Sequence, residues 1–182
     1  MTNLLSRKLD PVKIFQHATN FHASDHRLRS ILSPDKPEDF LIAGPSMVLS
    51  AFASELYLKC FLCAENGEVP NEHNLKTLFL RLAPSTRRRL EELWDEDIKQ
   101  PHKQADFNLI RSLPEGQNLQ LDLLYALDIG ATAFIELRYF YEKKRAFFIL
   151  GEFPSILRKV ILEKFPHWAE MIPATLAIGP VR

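Results

Sequence analysis

Several residues of this chain have types and spacings that could do chemistry. Glu55 and Lys59 stand four apart in the apolar run 47–64, on the helical side that also carries Val48, Ala51, Phe52 and Leu62. Arg138 follows Leu127, Ala131 and Phe134 along one helical stripe. A charge on an apolar stripe must be paired, solvated in a cleft or neutralised. Glu55 and Arg138 are therefore expected to pair between two central helices. Two readings of that pair stay open. It is a structural salt bridge that fixes helix packing, or part of a polar cleft where Arg138 also grips a phosphate or carboxylate through its bidentate fork. Tyr139 and Tyr141 follow Arg138 and precede Lys143, Lys144 and Arg145. Aromatic rings beside basic side chains can hold single-stranded RNA, and rings at a helix end also serve as core. Glu55, Lys59, Arg138, Tyr139 and Tyr141 are the candidate ligand-binding residues; none is assigned as catalytic.

His22 and His26 lie i, i+4 with Asp25 beside them, a spacing that can form a metal edge. No carboxylate–His set recurs on another segment, so a polar helix face is the preferred reading, and no metal or cofactor is expected. His73 precedes Asn74-Leu75-Lys76 and is expected to cap or position a short helix. Cys60 and Cys63 have redox-pair spacing but sit mid-helix among apolar residues, with no second pair; they read as buried thiols. Arg87–Arg89 precede Glu91, Glu92, Asp95, Glu96 and Asp97, which reads as a self-paired solvated face. The chain has no nucleophile elbow, phosphate loop, dinucleotide fingerprint or His-Glu-x-x-His.

The elements that must position these residues read as helices. Segments 11–32, 45–66, 74–82, 84–99, 119–141 and 154–164 carry helical patterning, with Asp10 as an N-cap and Gly67 as a C-terminal stop. Ala146–Leu150 could be a strand, but one strand makes no sheet. Segment 45–66 places Ser46, Ser50, Ala53, Ser54, Tyr57 and Ala64 on one side, a ridge of mostly small residues that lets another backbone come close. Both 45–66 and 119–141 are apolar on more than one side, so they are expected to be buried and packed together. Gly130, in the second of them, points to a close contact. The fold class is all-α, an antiparallel helical bundle, in a single domain over 1–182 with a C-terminal tail at 173–182.

The chain has 182 residues, 46% of them hydrophobic, with 23 Lys plus Arg balancing 23 Asp plus Glu. That length suits one domain, and zero net charge argues against broad wrapping of nucleic acid while allowing a local basic patch. Two Cys are no disulfide framework. The first residues contain no apolar core of signal-peptide length, and run 47–64, interrupted by Glu55 and Lys59, is expected to fall short of a membrane span. A soluble cytoplasmic protein is expected, without membrane association.

Two blocks together resemble a known family. Ser54-Glu55-Leu56-Tyr57-Leu58-Lys59-Cys60, a loop with Gly67, and then His73-Asn74-Leu75-Lys76-Thr77-Leu78-Phe79 resemble the helix-and-loop signature of HEPN domains. Ala133-Phe134-Ile135-Glu136-Leu137-Arg138-Tyr139-Phe140-Tyr141-Glu142 resembles the Arg-Tyr-x-Tyr-Glu segment of a bacterial branch of that group. The resemblance covers roughly residues 40–165 and implies an antiparallel bundle, commonly a homodimer, linked to RNA metabolism, toxin–antitoxin modules or phage defence. Active ribonucleases of the family carry Arg, four to six residues, then His. Here Lys143, Lys144 and Arg145 stand where that His would be, and no other Arg–His pair has the spacing. The resemblance thus implies a non-catalytic binding module for nucleotide, RNA or a protein partner. The alternative is a metal-independent ribonuclease with a degenerate site.

Overall fold

A computed structural model describes residues 9–31, 40–112, 114–131, 149–173, 176 and 178. Every regular element among them is helical. α1 spans Pro11–Ser30, α2 Phe40–Asn66, α3 Leu75–Leu80, α4 Pro84–Ile98, α5 Pro101–Ser112, α6 Leu123–Ile129 and α7 Phe153–Lys164. Short 3-10 turns follow α5 and α7. Most of the expected tail at 173–182, and all but Ile149 and Leu150 of the possible strand, lie outside the described residues.

Local chemistry sets the helix ends. Asp10 caps α1 by accepting from the Val12 N–H at 2.9 Å, and Pro11 follows it where no N–H is required. Gly67 ends α2 with φ of +73°, a left-handed conformation that disfavours side chains. α2 begins at Phe40, so Pro45 lies inside it and not at its start as expected. In this second turn the missing proline N–H removes one intrahelical bond. α6 begins at Leu123, not Leu119, because the Asp122 carboxylate caps it through the Tyr125 N–H. The carbonyls just upstream serve other partners: Leu119 accepts from Arg111, and Leu121 accepts from the Trp94 indole at 2.7 Å. α5 was not anticipated. Phe107 is its one buried residue, so its pattern is weak.

α1 and α2 run antiparallel along most of their length. Cys60 Sγ donates to Pro11 O near one end, Thr19 meets Tyr57 midway, and Asp25 meets Ser46 near the other. The small-residue ridge of α2 is the surface that permits this approach. α7 closes against α2 and α4, while α3 joins α2 to α6. The described part of the second apolar segment, α6, packs on α3 and α4. Most of the second half of segment 119–141, on which its expected packing against 45–66 depends, lies outside the described residues; among the described residues α1 is the main neighbour of α2. Gly130 does mark a close approach, since a Cβ there would stand 2.5 Å from Leu150 Cδ1.

Phe15, Tyr57, Phe61, Phe79, Trp94 and Phe153 anchor the core between α1, α2, α3, α4 and α7. The stretch Ala43–Asn66 is long and apolar enough to cross a membrane by length and composition, which corrects the expectation of a shortfall. Its window is, however, 67% buried inside the bundle, so most of that apolar surface already has partners. Cys60 and Cys63 are both buried free thiols, as expected. Arg88 and Arg89 reach Glu92, as a self-paired face requires, and Arg89 also forms a fork to Glu163 on α7 at 2.9 and 3.0 Å.

Candidate functional site

After Gly67 the chain turns back toward α2 and positions His73 with two backbone anchors. Glu72 Oε1 accepts the N–H groups of His73 and Asn74, each at 2.8 Å, which holds the Glu72 carboxyl below its ordinary range. Asn74 then caps α3 through the Thr77 N–H at 2.9 Å. The cap is thus Asn74 and not His73, whose imidazole is free to turn toward α2. There it meets Glu55, which is only 2% exposed. Glu55 Oε1 lies 2.9 Å from His73 Nδ1 and 2.8 Å from Lys59 Nζ. Nδ1 is thus placed to donate to the carboxylate, Nε2 has no hydrogen-bond partner among the described residues, and the side chain is 54% exposed. The other Glu55 oxygen, Oε2, is buried and has no hydrogen-bond partner among the described residues. This is a half-open polar site on an apolar helix, with one deep carboxylate, one nearly buried ammonium and one outward imidazole.

A second polar system runs through the contact of α1, α2 and α7. Ser46 donates to Asp25 Oδ1, and Asp25 Oδ2 lies 2.9 Å from Arg29 Nη2. Arg29 Nη1 donates to Glu152, whose other oxygen accepts from Ser155 Oγ at 3.4 Å. Ser155 Oγ meets His22 Nε2 at 3.2 Å, His22 Nδ1 meets Tyr57 Oη at 3.3 Å, and Tyr57 Oη meets Thr19 Oγ1 at 3.2 Å. Thr19, His22, Asp25 and Tyr57 are fully buried. Burial first, then the charges of Arg29, Arg158 and His26, push the His22 pKa down to about 3, so the ring is neutral. Burial also raises Asp25, against the pull of Arg29 and Ser46, and raises the Tyr57 hydroxyl. The expected polar face of this helix turns inward at His22 and Asp25: the Tyr57 and Ser155 hydroxyls meet His22, the Ser46 hydroxyl meets Asp25 Oδ1, and Asp25 Oδ2 has only its ion pair with Arg29 among the described residues.

Of the five candidate residues, Glu55 and Lys59 come together. Arg138, Tyr139 and Tyr141 lie outside the described residues. Sequence reading missed His73 as a partner of Glu55, because the contact depends on how the loop folds back. It also missed the buried seam, although Ser46, Ser50, Ser54 and Tyr57 on one ridge were a signal: hydroxyls packed against a helix imply polar groups on that helix. Comparison with protein-family models, with curated proteins and with solved structures gives no match.

Proposed function

We propose that the chain is a HEPN-like helical binding module, a cytoplasmic homodimer that holds RNA or a nucleotide without turning it over. The single observation that carries this reading is the buried Glu55 carboxylate gathering Lys59 and His73 at the surface of α2. Arg138 would take Glu55 Oε2, which has no hydrogen-bond partner among the described residues, and so complete a cluster of three cationic or proton-bearing groups around one carboxylate. Such a cluster presents N–H donors to phosphate and sugar oxygens, and Tyr139 and Tyr141 supply faces for base stacking. A protein partner in a toxin–antitoxin or defence pair would use the same surface.

A fluorescence-anisotropy titration with labelled single-stranded RNA, and competition by free nucleotide, tests the reading. Lys59→Met and Arg138→Ala should each weaken binding by at least about tenfold, with light scattering reporting a dimer mass. RNA affinity that neither substitution changes, or a monomer in concentrated solution, counts against it.

The alternative, a metal-independent ribonuclease with a degenerate site, has one observation in its favour. His73, backed by Glu55, is an imidazole of the kind proton transfer needs, supplied from outside the family's Arg–His spacing.

A further inference from the structure

A cleft of about 160 Å³ opens where the C-terminal half of α1 meets the N-terminal half of α2. α1 contributes Asp25 and Arg29 to its lining, and α2 contributes Ala43 and Met47, one turn apart. The hydroxyls of the cleft are already committed. Ser46 donates to Asp25 Oδ1, and Ser50 donates to the Gly151 carbonyl at 3.3 Å. The charged pair is not fully used. Asp25 is completely buried, yet its Oδ2 has no hydrogen-bond partner among the described residues. Its one contact there is the ion pair with Arg29 Nη2 at 2.9 Å. Arg29 Nε and Nη2 are in turn buried N–H donors without an acceptor among the described residues. The lining thus holds an unused acceptor beside two unused donors. Buried polar atoms in folded proteins are satisfied by protein, ligand or ordered water.

The charge balance decides what can satisfy them. Arg29 Nη1 donates to Glu152, so one guanidinium already answers two carboxylates. An anion finds no uncompensated positive charge in the cleft, and a cation is held off by the guanidinium beside Asp25. A neutral group that accepts and donates through adjacent atoms fits both members of the pair. A primary carboxamide is such a group: its oxygen accepts from Arg29 while its N–H donates to Asp25 Oδ2. Ala43 and Met47 offer an apolar bed for the body that carries the amide, and the methionine adapts to its shape. The space is also right for one ring, since a cavity of about 150 Å³ admits benzene.

We propose that the cleft between α1 and α2 binds a small neutral carboxamide carried on an apolar ring. The carbonyl oxygen accepts from Arg29, the amide nitrogen donates to Asp25 Oδ2, and the ring lies against Ala43 and Met47. This site is separate from the Glu55 cluster and does not depend on the RNA-binding reading.

Isothermal titration of the full chain with three probes of one shape tests it: benzamide, acetophenone, which keeps the carbonyl and lacks the N–H, and benzoate, the anion. Benzamide should bind at millimolar concentration or better, acetophenone at least about tenfold more weakly, and benzoate not at all. Asp25→Ser should weaken benzamide by at least about tenfold. Should that variant fail to fold, Ala43→Leu is read instead, because it fills the cleft and leaves the charged pair in place; it should abolish benzamide binding. No heat from benzamide at millimolar concentration would assign the unused donors and acceptor to ordered water and overturn the proposal. So would equal binding of benzamide and acetophenone, or benzamide binding that Ala43→Leu does not change.

Discussion

Glu55 Oε1 stands 2.9 Å from His73 Nδ1, so a carboxylate buried in the middle of α2 orients an imidazole on the loop that leads into α3. Lys59, one turn along α2, shares the same oxygen at 2.8 Å. The three residues couple helix α2 to the loop, and a change at one is felt by the other two.

Removing the carboxylate charge leaves Lys59, itself 8% exposed, without its counter-ion. Breaking a buried pair from one side typically costs about 3–5 kcal/mol. Glu55→Gln should therefore lower stability toward that range in urea unfolding, and adding Lys59→Met should recover part of the loss. An unchanged unfolding midpoint in Glu55→Gln would show that the carboxylate is not structurally engaged.

The proposed use of Oε2 by Arg138 is read by a double-mutant cycle. Glu55→Gln and Arg138→Gln should show a coupling energy of about 1 kcal/mol or more, whereas residues without contact add within about 0.3–0.5 kcal/mol. Simple additivity would place the two side chains apart.

His22 gives the fold an acid sensitivity of definite sign. Its folded pKa is about 3, below the ordinary value of 6.5. The neutral ring's contribution is complete above 6.5 and is lost as the pH falls toward 3, at up to about 1.4 kcal/mol per pH unit. Asp25 and Asp97, both raised by burial, act in the opposite sense, because protonating them as the pH falls relieves buried charge. The comparison is accordingly between the wild type and His22→Asn. The variant should be less stable at neutral pH by about 1–3 kcal/mol, since Tyr57 and Ser155 lose their partner, but should lose less on acidification. Parallel pH profiles would contradict a buried neutral His22.

Two glycines separate by surroundings. A Cβ at Gly130 meets Leu150 Cδ1 at 2.5 Å, and Leu150 is fully buried, so Gly130→Ala should cost about 1–3 kcal/mol through overpacking. Gly44, in α2 with nothing within 4 Å of its Cβ position, should gain about 0.4–1 kcal/mol on change to Ala. Equal effects in thermal melts would contradict the close approach at Gly130.

The legible parts of this fold were those written in local chemistry. Asp10 before Pro11, Gly67 after Asn66 and the apolar face of 154–164 announce helices because caps and periodicity act within a few residues. The ridge Ser46–Ser50–Tyr57 announced a close neighbour, but not that α1 would be that neighbour, nor that His22 and Asp25 would fill its hydroxyl seam. Those choices depend on contacts between residues about 20 to 130 apart, such as Asp25 with Ser46 and His22 with Ser155. Glu55 and Lys59 were legible because charges on an apolar stripe demand partners. His73 was not, since its partner was decided by the backbone path from Glu72 to Asn74. α5 was silent because an amphipathic helix with a single buried aromatic leaves little trace in composition.

The central claim, binding without turnover, is tested most directly by incubating the purified protein with end-labelled single-stranded RNA in the presence of a metal chelator. Binding and chain length are followed in the same sample. The account predicts a retained complex with intact RNA, and loss of the complex in Arg138→Ala. Cleavage would need a group to take the 2′-OH proton and another to protonate the leaving oxygen, and a lysine, whose side chain type titrates near about 10, is a poor base at neutral pH, which counts against Lys143 and Lys144 in the first task. Cleavage that persists in chelator and disappears in Arg138→Ala or His73→Ala would contradict the account and establish the ribonuclease in its place.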